Sequence, residues 1–580
     1  MGPSLLVLSI AVPIVGLLLA FVVGGRQVER IVLATMPIGL AIAVGVAVAT
    51  RQVDGPLVYL LGGWEPPLGV ALRADGLSAV MMVTTAVVMC AIGVFARADF
   101  VVPEGVAEAR APFAFWILLL AIWAALNTVF LGGDLFTLYV ALELLTFAAV
   151  PLVSLDGRAE TLQAALRYLL FALLGSVLYL VGTALLYGAS GTLDIVLLSR
   201  LVGPQPGTIV AAALMTVGLL AKTALFPLHL WLPSAHAGAP APASAVLSAL
   251  VVKGSFFIAV RLWFDVMPAL PGPSFVQLLA ALGAAAVLFC SVMALRQERL
   301  KLMIAYSTLA QIGYLFLMFP LAYDAGATHL ARGEAFTGGI LQAMSHATAK
   351  AAMFMAAGLI YQALGHDRIA GLAGVGRARP VTLLALALSG LALIGVPPSG
   401  AYAAKRLLLE AASDTTQWWW TVAIQAGGAL TSSYVLLLLA HAAGAAPEPA
   451  KLRARVPWTR EAAVLALALV SLLLGFVPWS AYFPISPQAL SNPLTFETLS
   501  SALWPILAGG GIAILLGRGT IPSAFMPGVG VASVDRMRRA ALMPAGWIMR
   551  IDDALRQWPT AVVAVLVLAT LFGIAIAAGR

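Results

Sequence analysis

The sequence predicts an all-α polytopic membrane protein of about sixteen transmembrane helices, and three observations carry that prediction. Of its 580 residues, 62% are hydrophobic and only 10% charged, far too little polar surface for a soluble chain of this length. The apolar residues fall into runs of about 17–25, the length an α-helix needs to cross the hydrocarbon core. The arginines gather in the short connections between those runs, with a strong bias to alternate connections. The net charge of +8 is therefore spread over membrane-flanking loops and does not mark a nucleic-acid surface.

The runs centre near residues 13, 40, 86, 122, 145, 176, 220, 253, 285, 310, 350, 392, 428, 470, 508 and 568. The first, from Pro3 to Val23, lacks a basic leader and a small-residue cleavage site and reads as a retained span. Connections after odd-numbered spans hold Arg26 and Arg30; Arg97 and Arg110; Arg158; Arg296, Arg299 and Lys301; Arg368, Arg377 and Arg379. Lys451, Arg453, Arg455 and Arg460 follow on the same side, then Arg518, Arg536, Arg538, Arg539, Arg550 and Arg556. The opposite side has Arg51, Arg73, Arg200 and Arg332, so the bias is about twenty cations against four. The positive-inside rule then puts odd connections in the cytoplasm and both termini outside, in a membrane of the bacterial inner type.

Two spans should be broken. Span 7 reads TVGLLAKTALFPLHLW, and Pro227 removes a helix hydrogen bond five residues after Lys222. Span 12 reads VTLLALALSGLALIGVPPSGAYAAKRLLLE, interrupted by Gly395, Pro397, Pro398 and Gly400, with Lys405 past the break. The breaks lie five spans apart. Five is odd, so a five-span repeat would stand inverted in the membrane, and interrupted helices at matching positions of inverted halves point to a transport site. The organisation expected is helices 1–3 over 1–110, a first repeat (helices 4–8) over 111–265, a second (helices 9–13) over 266–441, and helices 14–16 over 442–580. Within the last, VDRMRRAALMPAGWIMRIDDALRQW interleaves Arg536, Arg538, Arg539, Arg550 and Arg556 with Met537, Leu542, Trp547 and Ile548, as a helix on the membrane surface would.

Lysine usage is selective. The chain has six lysines, and Lys222, Lys253, Lys350 and Lys405 all lie in apolar segments, while arginine supplies the loops. Arginine keeps its proton in a protein; a buried lysine can give it up. Snorkelling to the surface suits a lysine within a turn of a helix end, but about fourteen mostly apolar residues precede Lys222. Glu143 stands nine residues into span 5, where a carboxylate is a functional candidate by default. Paired at about 4 Å with an effective dielectric near 20, Glu143 and Lys222 would interact by about 4 kcal/mol. A charge crossing 100 mV is worth about 2.3 kcal/mol, so closing and opening such a pair has the size energy conversion requires. In span 11, His346 and Lys350 at i and i+4 share one helix face. Glu143, Lys222, Lys253, His346, Lys350 and Lys405 together would form a polar row at mid-membrane depth. His229 and His236 near the first break are further candidates, each equally readable as a satisfied core histidine, and Tyr306, Ser307 and Thr308 could fill the row with hydroxyls.

No redox or nucleotide site is expected: Cys90 and Cys290 are isolated, there is no CxxC or Walker loop, and Gly528-Val-Gly530 lacks a Rossmann context. No cofactor or metal is anticipated.

The runs AKTALFPLHLWLPSAHAGAPAPASAVLSALVVK, LKLMIAYSTLAQIGYL, SHATAKAAMFMAAGLIY and LIGVPPSGAYAAK resemble the antiporter-like subunits of respiratory complex I, Mrp-type sodium/proton antiporters and membrane-bound hydrogenases. The resemblance spans residues 110–440. It implies fourteen core helices in two inverted five-helix repeats, a Glu–Lys pair at Glu143 and Lys222, a central Lys253, span-11 polar residues at His346 and Lys350, and a terminal Lys405. Ser234 stands where many members have an acid, Lys405 where one complex I member has glutamate, and about forty residues where the largest has a long lateral helix. That leaves the D-type component of the Mrp antiporters, slightly ahead, and a hydrogenase-type subunit as the nearest resemblances. The resemblance implies a proton-translocating, or sodium/proton-exchanging, subunit among other membrane subunits. The alternatives are a pump driven by electron transfer in a quinone reductase or hydrogenase, and an energy-coupling subunit for inorganic-carbon uptake. A structural scaffold with fortuitous buried lysines is the bland reading.

Overall fold

The computed structural model describes residues 2–106, 108–324, 326, 330–444, 453, 456–485, 490, 492–516 and 546–579. The first helices, α1 (Ser4–Val23) and α2 (Gln27–Thr50), expose much apolar surface, as helices facing lipid do. A hairpin of β1 (Leu57–Leu60) and β2 (Ala71–Ala74) follows, a small departure from an all-α chain. Then come α3 (Gly76–Ala96), α4 (Arg110–Leu131), α5 (Leu135–Val153) and α6 (Ala159–Ser190). Aspartates set helix starts: Asp75 accepts from Ser78 N at 2.9 Å, and Asp134 from Phe136 N at 3.0 Å and Thr137 N at 2.8 Å.

The short α7 (Ile195–Leu201) leads to α8 (Pro206–Thr223), where the chain breaks. Ala224 turns left-handed at φ 59°, residues 225–231 run as an irregular strap, and α9 (Leu232–Gly238) resumes. Trp231 Nε1 donates to Ala221 O at 3.1 Å, adding a second bond to a carbonyl that already accepts from Ala224 N and tying the strap to the end of α8. The next span, Ala241–Val266, is buried from Ala241 to Val260 and places Lys253 inside the bundle. It comprises α10 (Ala241–Val246), a π-turn over Leu247–Val251 and α11 (Val252–Arg261), with a second π-turn at Leu262–Val266.

Then follow α12 (Pro273–Leu295), α13 (Leu300–Phe316), α14 (Met318–Ala322), α15 (Gly333–Leu364) and α16 (Val375–Ala378). The second break separates α17 (Pro380–Ile394) from α18 (Gly400–Asp414). Gly395, at φ 92°, ends α17 in a conformation that favours glycine, and the Ser399 side chain starts α18 by accepting from Tyr402 N at 3.1 Å. The chain ends with α19 (Trp418–Ala443), α20 (Trp458–Leu473), α21 (Phe496–Ser501), α22 (Leu503–Leu516), α23 (546–555) and α24 (Trp558–Ala578).

Among the described residues fourteen helices are long and apolar enough to cross a membrane. The 32-residue α15, diluted by Gln342, Ser345, His346 and Lys350, and the fifteen-residue α17 stand apart from that group. Two cations assigned to loops from the sequence are in fact buried. Lys301 is the second residue of α13 and donates to Ala239 O at 3.0 Å. Arg460 lies in the first turn of α20, 2% exposed, bonded to Asp99 at 2.6 Å and Gln362 at 2.7 Å. Of the basic C-terminal segment, Arg518, Arg536, Met537, Arg538, Arg539 and Leu542 lie outside the described residues, as do Lys451, Arg455 and Gly528-Val-Gly530.

Glycine lets α6 and α8 approach closely beside Lys222. A Cβ on Gly218 would come within 2.3 Å of Gly175 O. Gly218→Val should therefore lower stability by about 1–3 kcal/mol through overpacking, read as a lower thermal midpoint of the purified protein.

Candidate functional site

The site is a row of buried amines, each solving the same problem differently: an ammonium removed from water needs acceptors. Lys222, in the last turn of α8 and 7% exposed, finds a carboxylate. Its Nζ donates to Glu143 Oε1 at 3.1 Å and to Thr146 Oγ1 at 2.8 Å, both on α5 one turn apart. Ser176 on α6 also donates to Glu143, so the carboxylate is held from two helices.

Lys253, 1% exposed, finds no carboxylate. Its Nζ donates to Ser248 O at 2.7 Å, a carbonyl five residues back inside the π-turn, and is hydrogen-bonded to Nδ1 of His346 on α15. Such π-bulges often mark functional positions. His346 Nε2 is buried without a partner. Lys350, one turn further along α15, donates to Ser307 Oγ and, at 3.2 Å, to Ile304 O, both on α13. The two groups paired by sequence spacing thus share a face but bond to different helices. Lys405 uses the second break: from α18 it donates to Ile394 O at 2.8 Å and Leu393 O at 3.3 Å, the freed carbonyls at the C-terminus of α17. A cation at that end is also favoured by the helix dipole, and Lys405 Nζ lies 4.8 Å from the centre of the Tyr314 ring.

Smaller polar groups join these amines. Thr223, next to Lys222, donates to Ser255 Oγ at 2.9 Å, two residues past Lys253. A cavity of about 10 Å³ lined by Thr146, Lys222 and Ser255 has room for about one water. Ser248 Oγ and Thr308 Oγ1 are 2.8 Å apart, linking the Lys253 helix to the Lys350 partner helix. Beyond Ser307, Gln342 Nε2 donates to Gln311 Oε1 at 2.7 Å, and Gln311 Nε2 to Thr431 Oγ1 at 3.3 Å. Near Lys405 a cavity of about 390 Å³ reaches Tyr402, Arg406 and Glu410.

The structure therefore places Lys222, Lys253, His346, Lys350 and Lys405 in buried positions and Glu143 in a half-buried one; Glu143 contacts Lys222, Lys253 contacts His346, Ser307 and the Ser248–Thr308 pair tie the Lys253 and Lys350 helices together, and Lys405 rests on the carbonyls of the second break. His236 is not tied in: it is buried, stacked on Phe354 at 4.7 Å, and neither ring nitrogen has a hydrogen-bond partner. His229 bonds instead to Asp552 at 2.9 Å, and Tyr306 to the same carboxylate at 2.6 Å. Sequence reading missed Thr146, Ser176, Thr223, Ser255, Gln311, Gln342 and Thr431. The two glutamines, uncommon residues in apolar spans, were the visible signal; the hydroxyls carry none. No cluster of three or more His, Cys, Asp or Glu able to hold a metal occurs among the described residues.

The family described as NADH:quinone oxidoreductase/Mrp antiporter, TM matches residues 132–431, more than half of the chain. The chain is 32% identical over 370 residues to the N-type subunit of the NADH-quinone oxidoreductase of Desulforudis audaxviator, covering 62% of this chain and 70% of that protein. It is 28% identical over 408 residues to the D-type subunit of the Na+/H+ antiporter of Alkalihalophilus pseudofirmus, covering 69% and 79%. Its fold is similar to a chain of the Mrp complex from Dietzia sp. DQ12-45-1b, with a TM-score of 0.74, 24% identity, and coverage of 87% of this chain and 99% of that one.

The electrostatics of the first pair make a stability prediction. Glu143→Ala should leave a buried, uncompensated ammonium and destabilise the protein more than Glu143→Ala combined with Lys222→Met. Denaturation of the parent, Glu143→Ala, Lys222→Met and the double variant should give a coupling of about 0.5–3 kcal/mol.

Proposed function

We propose that this chain, which belongs to the NADH:quinone oxidoreductase/Mrp antiporter transmembrane family, is a proton-translocating subunit of a multi-subunit cation/proton antiporter complex. The observation that carries the reading is the row from Glu143 and Lys222 through Lys253, His346 and Lys350 to Lys405. Each amine lies within hydrogen-bond range of acceptors, and hydroxyls and a water-sized gap border Lys222, Lys253 and Lys350.

In this reading Glu143 and Lys222 form the switch. While the pair is closed, the carboxylate stabilises the ammonium; when it opens, the desolvated ammonium releases its proton to the next site. The interaction at stake, about 4 kcal/mol for a close pair at an effective dielectric near 20, exceeds the worth of one charge crossing 100 mV. Lys253, His346 and Lys350 pass the proton along, each resting on neutral acceptors, and Lys405 delivers it beside the second break. Sodium is the alternative counter-ion, as the name of the Na+/H+ antiporter relative suggests.

The same reading takes the bundle as sixteen spans, adding α15 and the broken α17–α18 span to the fourteen long apolar helices, with inverted repeats at 111–265 and 266–441, flanked by 1–110 and 442–580. Two isolated backbone pairings support the repeat. Asp134, before span 5, pairs with Asp194, after span 6; Arg299, before span 10, pairs with Arg368, after span 11. The arginine bias favours a bacterial-type inner membrane with both termini outside. A second reading, a pump driven by electron transfer in partner subunits, draws on the NADH-quinone oxidoreductase relative. Identification of the co-purifying subunits separates the two: small membrane proteins for the antiporter, an iron–sulfur arm for the redox pump.

Lys222→Ala and Glu143→Ala should each lower proton flux in vesicles carrying the assembled complex by about a hundredfold. Undiminished flux in both variants would remove the mechanism.

A further inference from the structure

The helix α23 is amphipathic in an unusual sense. Trp547 and Ile551 face outward, 68% and 45% exposed, while Asp552 points inward and is 1% exposed. Ile548 and Met549, one turn before Asp552 on the same face, pack on the core beside it. A surface helix has thus committed a carboxylate to the protein interior, beside Ile548 and Met549, while Trp547 and Ile551 face outside.

The buried carboxylate joins two elements that also carry members of the amine row or their acceptors. One oxygen is 2.9 Å from Nε2 of His229, on the strap that follows the Lys222 helix. The other accepts from Tyr306 OH at 2.6 Å, on the helix that holds the Lys350 acceptors. Arg556, just past the end of α23, lies 3.7 Å away, and Cys290 on α12 is near enough to feel the charge. Burial works against charge on Asp552, but the bonds from His229 and Tyr306 and the nearby Arg556 outweigh it and hold its carboxyl below the usual carboxylate range. At neutral pH the group is therefore a carboxylate that can receive a proton.

Two further observations point to passage. Asp552, Tyr306 and Arg556 line a cavity of about 1110 Å³, with Asp99, Glu298 and Lys301, that reaches the surface among the exposed Arg158, Glu160 and Asp553. His229 does not line that cavity. Its ring is fully buried, stacked 5.6 Å from Phe226, and its second nitrogen, Nδ1, has no hydrogen-bond partner. One face of the pair meets water and the other ends in an unpaired nitrogen inside the protein.

We propose that Asp552 and His229 form a proton-transfer pair at the floor of this cavity, through which the C-terminal helix connects bulk water to the buried amine row. At rest the Asp552 carboxylate accepts the Nε2–H of His229, and Nδ1 is unprotonated. A proton from cavity water binds the carboxylate; the ring then turns so that Nδ1 takes that proton and the Nε2–H faces the interior and gives up its own, so one proton enters, one departs and the imidazole is again neutral. Tyr306 positions the carboxylate. The assignment rests on the proton-translocation reading above.

The test uses the full chain purified with its accompanying membrane subunits and reconstituted in vesicles, with proton flux followed by a pH-sensitive dye across a pH series. Asp552→Asn keeps the size and one acceptor of the side chain. It should lower flux about tenfold at alkaline pH, where free protons are scarce, and recover toward the parent at acidic pH. His229→Gln should give the same tilted profile, the double variant should be no slower than either single one, and Asp552→Glu should restore most of the flux. Lys222→Ala serves as the control for the underlying reading: if its flux is undiminished, that reading fails, whatever Asp552 does. With that control inactive, a flat profile for Asp552→Asn, additive losses in the double variant, or loss of assembly with unchanged flux per assembled complex would each reduce Asp552 to an anchor for α23 and overturn the pair.

Discussion

The structure depends on the cost of taking ammonium groups out of water. A buried cation without partners is penalised by several kcal/mol, and five of the six lysines are at least nine-tenths buried. The fold meets the cost by exposing backbone inside the bundle. The C-terminus of α17 offers two carbonyls to Lys405, the π-turn before α11 offers Ser248 O to Lys253, and Ile304 O on α13 serves Lys350. Irregular backbone is tolerated in a membrane only where it faces protein or water, and here it faces the amines.

This arrangement makes the row asymmetric. Lys222 alone among these four buried lysines has a carboxylate in hydrogen-bond range in the described structure; Lys253, Lys350 and Lys405 rest on neutral oxygens or an imidazole. The two breaks also differ. Lys222 precedes the first and bonds sideways to α5, whereas Lys405 follows the second and bonds back across it. The chemistry beside the two breaks thus differs, and in the proposed mechanism the lysine with a carboxylate partner is the one whose charge a small separation would gate.

Much of this was legible in the sequence for local reasons. Span positions follow from hydrophobic length, the breaks from Pro227 and Gly395-Val-Pro-Pro, and Glu143–Lys222 from two lone charges of opposite sign in apolar helices. What was missed is non-local or unmarked. Asp552 reads as one acid in a basic amphipathic stretch, and its partner His229 is 323 residues away, so spacing cannot join them. His346 and Lys350 read as a pair because one helix face holds both, yet the packing of α11 and α13 assigns them separate partners. Lys301 and Arg460 followed loop statistics into the wrong environment because each sits within the first turn of a helix. The β1–β2 hairpin lay in a connection with no strong alternation. Ser248 O could not be anticipated at all, since its availability arises from a π-turn that the sequence does not signal.

The central claim is that the two halves form one series path joined at Lys253 and His346. Lys253→Met tests it most directly, because it removes the joining amine while preserving volume and leaves Glu143, Lys222 and Lys405 in place. Proton flux through the assembled complex in vesicles should fall to the level of protein-free vesicles. Flux that persists at a substantial fraction of the parent rate would mean each half conducts independently, and would contradict the series path.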